Sequence, residues 1–335
     1  MRECAPARAL GSQHFGKKRA APERLAKGFV NLMRVHMPFN DIPDDARGTA
    51  IALGNFDGVH LGHQAVLSDA RAHGARLGVA TFRPHPRRFF QPDAPPFRLQ
   101  KPAQRARAMR ALGVEEVFAL GFDAAMARST DEEFAQRVLH DALGARHVSV
   151  GADFRFGRGR MGDVETLKAL GRKFGFSVGA VSPVGEAGAR YSSTAIRKAI
   201  EAGDMQTAAA QLSRPWAIEG DVQRGFQRGR GFGFATANVP LADYVRPRLG
   251  IYAVRVRLGE DWREGVASVG VNPTVGALPE PVLEAHLFDF DAELYGQTIE
   301  VALIAFLRDE AHFADTDALK TQMAKDVEAA KAALA

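Results

Sequence analysis

The feature that most constrains this chain is a change of period at "SRPW", residues 213 to 216. Upstream, from about residue 48 to 212, short apolar runs alternate with helical segments. "TAIALGNF" reads as a strand running into a loop, and "GHQAVLSDARAHG" as a helix closed by Gly74. "RLGVATF", "VEEVFALGF", "RHVSVGADF" and "FSVGAVSPV" follow as strands. Between them lie the helix "KPAQRARAMRALG", a helix opened by a capping box at Thr130–Glu133 and ended at Gly144, and the helix "VETLKALGRKFG". "AIRKAIEAG" and "DMQTAAAQL" close this half. Strands spaced by helices predict a parallel α/β sheet with ligands at the carboxyl ends of its strands. Downstream, "GIYAVRVRL", "EGVASVGV", "VLEAHLFDF" and "TIEVALIAFLRDE" alternate with period two, separated by Gly, Pro, Asp and Asn. That pattern predicts a small antiparallel β-barrel, with "DTDALKTQMAKDVEAAKAALA" as a terminal helix packed on it.

The expected division is a basic tail over 1–47, an α/β domain over 48–212 and a β domain over 213–335. A chain of 335 residues suits two domains, and 46% hydrophobic with 25% charged residues is ordinary for a globular protein. No apolar run approaches the ~20 residues of a membrane span. A single cysteine, Cys4, rules out an internal disulfide framework and fits a reducing, cytoplasmic setting. The net charge of +5 belongs to the front end: residues 1–40 hold eight basic and two acidic side chains, leaving the rest at −1. A nearly neutral body lacks the footprint of a nucleic-acid binder. The Arg-rich tail could be a transit peptide, but it lacks the serine content of one, and a disordered or start-site extension ahead of Met33 is the preferred reading.

The most specific stretch is "GNFDGVHLGH", Gly54 to His63. A strand enters a Gly-rich turn and a helix begins near Gly62, offering free N–H groups and a positive dipole end to a phosphate. His60 and His63, three apart, can face the same way and stabilise charge building on a phosphoryl group. Either histidine alone would more simply be a cap or a packed ring. Three further stretches fall near strand ends: "TFRPHP" with His85, "GADFRFGRGRMGD", and "RYSSTAIR", whose cations Arg190 and Arg197 and hydroxyls stand where another helix starts. Each has a plain alternative: Ser192 as an N-cap, Arg158 and Arg160 as a solvated loop, Phe154 and Phe156 as core.

In the second half, "RGFQRGRGFGFATAN" resembles the start of an RNA-binding signature. Ala235 and Ala237 stand where that signature needs Val and an aromatic, and residues 213 to 310 lack its two crossover helices. What remains is a Gly-rich loop, with Gly229, Arg230 and Gly233, able to close on phosphates. Thr236 and Asn238 then offer two neutral oxygens on one side of an extended chain, which suits Mg²⁺ already carrying ATP phosphates. The plain alternative is a turn that satisfies its own backbone.

The set "GNFDGVHLGH", "TFRPHP", "GADFRFG" and "RYSSTAIR", in that order, closely resembles the adenylyltransferase half of prokaryotic bifunctional riboflavin kinase/FAD synthetases, within the HxGH nucleotidyltransferase group of Rossmann-like folds. "GDVQRGFQRGRGFGFATAN", "RPRLGIYAV", "SVGVNPTVG", "LEAHLFDF" and "LYG" with "FLRDE" resemble the same family's riboflavin kinase domain. The resemblance implies phosphorylation of riboflavin to FMN and transfer of AMP from ATP to FMN, giving FAD and pyrophosphate. By resemblance, His60 and His63 contact ATP phosphates, and Gly54, Phe56, Asp57 and Gly58 shape the nucleotide loop. Asp153 lies near the substrates, and Arg190, Ser193 and Thr194 hold phosphates from a mobile loop. Thr236 and Asn238 hold Mg²⁺–ATP, and Glu284 is the general base for the riboflavin 5′-hydroxyl, which must lose a proton as it attacks. The plain reading of Glu284 is a polar residue on the exposed face of a strand whose other face is Leu283, Ala285 and Leu287. Two departures stand out: Ala235 replaces the family's usual Pro, and Asn272 stands where many members carry Arg. The rival expectations are a single-activity enzyme with one half lapsed, and a flavin- or RNA-binding regulator. The implied partners are riboflavin, FMN and ATP, with no membrane, no specific nucleic acid, and self-association left open.

Overall fold

The computed structural model describes residues 33–39, 41–74, 76–186, 189–223, 236–271 and 281–335. The readings on residues 1–32, Gly229, Arg230, Gly233, Ala235 and Asn272 lie outside them, and of Thr236 only the backbone is described. Six strands form one wholly parallel sheet: β1 (Arg34–His36), β2 (Ala50–Leu53), β3 (Leu77–Arg83), β4 (Glu116–Gly121), β5 (His147–Gly151) and β6 (Ser177–Val181). Their order is β1-β4-β3-β2-β5-β6. The chain leaves β2 for one side of the sheet and returns to its other side at β5, so the topological switch lies between those two strands.

β1 corrects the expectation of a tail reaching to residue 47. Arg34, Val35 and His36 pair with Glu116, Val117 and Phe118. Glu116 is buried and accepts from Arg34 and, at 2.7 Å, shares a hydrogen bond with His36 Nε2. Without those partners the buried carboxylate would keep only Arg76, at 3.4 Å, so the strand is fixed by pairing and charge.

Among the described residues, eight α-helices accompany this half: α1 (Leu61–Ala72), α2 (Pro86–Phe90), α3 (Pro102–Ala111), α4 (Ala124–Arg128), α5 (Asp131–Phe134), α6 (Val164–Phe174), α7 (Ser193–Ala202) and α8 (Met205–Leu212). The capping box at α5 is present, with Thr130 Oγ1 accepting from Glu133 N at 3.1 Å and Glu133 Oε2 accepting from Thr130 N at 2.8 Å. The helix then widens into a π-helical stretch, Ala135–Ala142, before it ends at Gly144. A two-residue hairpin pairs β7 (Gly185–Glu186) with β8 (Ala189–Arg190).

The second sheet contains β9 (Trp216–Asp221), β10 (Thr236–Pro240), β11 (Gly250–Leu258), β12 (Asp261–Val271), β13 (Pro281–Leu287) and β14 (Thr298–Arg308). All pairs are antiparallel in the order β10-β13-β12-β11-β14-β9, and a bridge between Gln223 and Asn238 nearly closes the barrel. Val254, Leu283, Ala285 and Leu287 fill its interior. The terminal helix α9 (Thr316–Leu334) covers the outer face, where Ala330 and Leu334 pack on Ala253.

The two halves share one core. Leu99, Ile196 and Leu212 are buried in the same cluster as Trp216, Ile218 and Tyr244. Trp216 Nε1 donates to Leu99 O at 2.8 Å. Tyr244 Oη donates to Gln104 Oε1 at 2.5 Å and accepts from Glu219 N at 2.9 Å, while Gln104 Nε2 donates to Ala217 O at 3.0 Å.

Candidate active sites

In the parallel half, the carboxyl end of β2 runs into a loop that few side chains tolerate. Phe56 and Val59 take φ values of 53° and 44°, and Gly58 takes 92°. A β-branched residue in the left-handed region is strained, and persists only where surrounding contacts fix the backbone. Those contacts centre on Asp57. Its buried carboxylate accepts from Leu99 N at 3.0 and 3.1 Å, from Gln100 N at 3.3 Å and from Arg197 Nη2 at 2.7 Å. Ser193 Oγ donates to Asp57 O at 2.8 Å, and Arg214 Nη2 donates to Gly58 O at 2.6 Å.

This anchoring presents α1. His60 is its N-cap, with Nδ1 accepting from His63 N at 3.4 Å, so the ring's proton sits on Nε2. The His60 and His63 rings stack with centroids 3.7 Å apart, and Phe56 lies 5.1 Å from His63. Burial, reinforced by the charges of Arg190, Arg197 and Arg214, pushes the His60 imidazole down to about 4. Burial does the same to His63, which lies well below the ordinary histidine range. Both rings are therefore neutral at pH 7, and His63 Nδ1 is buried without a hydrogen-bond partner among the described residues.

A cleft of about 960 Å³ opens outside β2 and β5, at the switch point, and Gly54, His60, His63, Asp153, Arg190 and Ser193 all line it. Asp153 follows β5 and accepts from Arg190 Nη2 at 2.7 Å in an exposed ion pair. His85, after β3, caps α2 by accepting from Arg87 N at 3.1 Å, and burial holds its ring at about 4. Thr194 is exposed on α7. Arg197 lines the same cleft, but its Nη2 is held by Asp57 and its Nε donates to Phe97 O at 2.6 Å. Asp57 and Arg197 thus satisfy each other rather than standing ready for a phosphate.

Two arginines at this loop were not read from the sequence. Arg105 on α3 donates to Asn55 O at 3.0 Å, and Arg214 holds Gly58 O. They lie 50 and 156 residues from the carbonyls they bind, a separation that no local pattern signals.

In the barrel, Asn238 on β10 stands opposite Glu284 on β13, and Glu284 in turn stands opposite Ser268 on β12. Thr236 pairs with His286 one step along. Ala237, Val239, Leu283 and Ala285 point to the barrel interior, so alternation puts Asn238 and Glu284 together on the outer face. Asn238 is buried there, and its Oδ1 has no hydrogen-bond partner among the described residues.

Two family models divide the chain along this architecture: FAD synthetase matches residues 42–195, and riboflavin kinase matches residues 212–334. The bifunctional riboflavin kinase/FMN adenylyltransferase of Pseudomonas fluorescens is 40% identical over 314 residues, covering 92% of this chain and 97% of that protein. The chain belongs to this bifunctional family. The Escherichia coli K12 protein of the same name is 39% identical over 308 residues, 90% of this chain and 95% of its own. A solved Streptococcus pneumoniae structure described as a macrolide-efflux protein is 31% identical with a TM-score of 0.80, covering 90% of this chain and 99% of that one. It supports the fold across both halves. Among the described residues no helix is long and apolar enough to cross a membrane. The enzyme is a riboflavin kinase and an FMN adenylyltransferase, as the resemblance implied.

Proposed function

We propose that the switch-point cleft carries AMP transfer and that the Asn238–Glu284 row carries riboflavin phosphorylation. The observation that supports the first assignment is the pair of neutral, stacked imidazoles at the start of α1, His60 buried and His63 half-buried. In that reading an FMN phosphate oxygen attacks the α-phosphorus of ATP and pyrophosphate leaves, so no side chain acts as nucleophile. His60 Nε2–H donates to the charge that develops, and being neutral it needs no counter-ion in the buried site. Gly54, Phe56 and Gly58 bring backbone N–H groups to the phosphates. Arg190 exchanges its exposed partner Asp153 for substrate phosphate, and Ser193 and Thr194 border it. Asp57 and Arg197 act through the loop, as positioning residues.

For the kinase step, Glu284 takes the proton of the riboflavin 5′-hydroxyl as it attacks the γ-phosphate. The unpartnered, buried Oδ1 of Asn238 suits a hard cation, and with Thr236 it would hold Mg²⁺. Bound there, the ion would supply charge neutralisation to the ATP phosphates. Gly229, Arg230 and Gly233 are assigned to the phosphates on the resemblance alone. ATP-dependent flavin chemistry and a single cysteine support a cytoplasmic setting.

Chromatographic separation of flavins after incubation with riboflavin, ATP and Mg²⁺ tests both assignments. The wild type should yield FAD. His60→Ala should accumulate FMN, with adenylyl transfer down ~10²–10³-fold, the loss expected for one charge-stabilising donor. Glu284→Gln should leave riboflavin unconverted while supplied FMN still becomes FAD. Equal FAD production by either variant removes that residue from its role.

A further inference from the structure

At the opposite end of the parallel sheet, Asp69 on the last turn of α1, His73 at its C-cap and His147 on β5 bring one ligand atom each within 4.8 Å of one another. His147 begins β5, four residues before Gly151 at the cleft, roughly 13 Å along a strand. His73 lies ten residues beyond His63, roughly 15 Å along the helix. The cluster is therefore separate from the cleft.

Its hydrogen bonds are short of a positive charge. Ser149 Oγ donates to Asp69 Oδ2 at 2.6 Å, which uses its only proton. Ser177 Oγ donates to Arg146 O at 3.3 Å, so it accepts from His147 Nδ1, 2.7 Å away. That leaves the His147 Nε2 lone pair facing Ser149 Oγ at 3.0 Å and Asp69 Oδ2 at 3.4 Å. His73 Nδ1 donates to Asp69 O at 2.8 Å, which frees its Nε2 as a second lone pair. In metal sites a ligating imidazole commonly gives its other N–H to a carbonyl or hydroxyl, as both rings do here. Gly179 on β6 keeps the space open: a Cβ there would lie 2.0 Å from Asp69 Oδ2 and 3.0 Å from His147 Nε2.

We propose that Asp69, His73 and His147 bind a divalent transition-metal ion that ties the end of α1 to β5. Two imidazoles and one carboxylate suit Zn²⁺, Co²⁺ or Ni²⁺ better than Mg²⁺. The His73 and His147 rings are stacked 3.9 Å apart and within 4° of parallel, so their in-plane lone pairs do not converge. His73 is exposed, and a tilt of its ring about the Nδ1–Asp69 O bond would take it out of the stack and complete the site. The ion is structural, with no part in either phosphoryl step.

The test is titration of the untagged, metal-free full chain with Co²⁺ alone, followed by visible absorption and calorimetry. The wild type should bind one Co²⁺ that His73→Ala weakens by more than ~100-fold. Ser177→Ala should weaken it by ~10–100-fold, as loss of an orienting partner does. The His73 and His147 ring signals in NMR should shift together at one equivalent. His73 is exposed, so its replacement leaves the fold intact; wild-type flavin turnover by His73→Ala with Mg²⁺ and no transition metal would confirm that. Co²⁺ binding unchanged in His73→Ala overturns the proposal. So does the absence of micromolar binding by the wild type, which means that His147 takes its other tautomer and donates from Nε2 to Asp69.

Discussion

Replacing Arg197 by Met separates two roles that look alike in the sequence. In the structure Arg197 Nη2 lies 2.7 Å from Asp57 Oδ2, with side-chain exposures of 15% and 7%. Removing one partner of a buried pair costs about 3–5 kcal/mol, because the other charge is left uncompensated. Asp57 keeps the N–H groups of Leu99 and Gln100, so the lower end, about 3 kcal/mol, is expected. Urea unfolding followed by tryptophan fluorescence reads this, since of the two tryptophans Trp216 is buried and bonded to Leu99 O beside the bracket, whereas Trp262 is already exposed. Asp57→Asn in the same chain should recover at least ~1 kcal/mol of the loss, the coupling expected of residues in direct contact. Riboflavin phosphorylation should continue in the folded variant while FAD formation falls, because the strained Phe56–Val59 loop loses its tether. A variant destabilised by less than ~1 kcal/mol, with a raised KM for ATP, would refute the reasoning and make Arg197 a phosphate ligand.

Acid should weaken this fold in a defined window. His60 stays neutral in the fold down to about pH 4, whereas an unfolded histidine takes its proton near 6.5. The unfolded chain therefore binds more protons between those values, and stability falls as pH drops from 6.5 to about 4, by up to ~3 kcal/mol from this group. Denaturation midpoints of wild type and His60→Asn across pH 4 to 7 check it; parallel curves would contradict the buried neutral ring. Tyr244→Phe removes the hydroxyl that joins Gln104 to Glu219 N and should cost ~1–3 kcal/mol in the same unfolding assay, as buried groups left unpaired do. No loss would mean that the seam is held by its apolar contacts alone.

The sequence makes the long elements legible because they are periodic. β2 reads "AIAL" and is buried throughout, and β13 alternates strictly about Glu284. The capping box at Thr130 announces α5, yet eight residues of π-helix look like ordinary helix in a residue string. β1 has only three residues, too few for any period, and exists through its partner 82 residues away. The histidines at the start of α1 were legible through their loop, but the Asp57–Arg197 bond spans 140 residues. Charge alone could not show that this arginine was already occupied.

The seam around Leu99 and Trp216 has a bearing on how such an enzyme can be inherited. Leu99 and Ile196 of one half and Trp216 and Tyr244 of the other are buried in one shared cluster. A gene broken near residue 212 would yield two products that each present a raw apolar face to water, prone to aggregate before either could act. The two chemistries match separate family models, but the surface that joins the halves makes the pair travel as one piece.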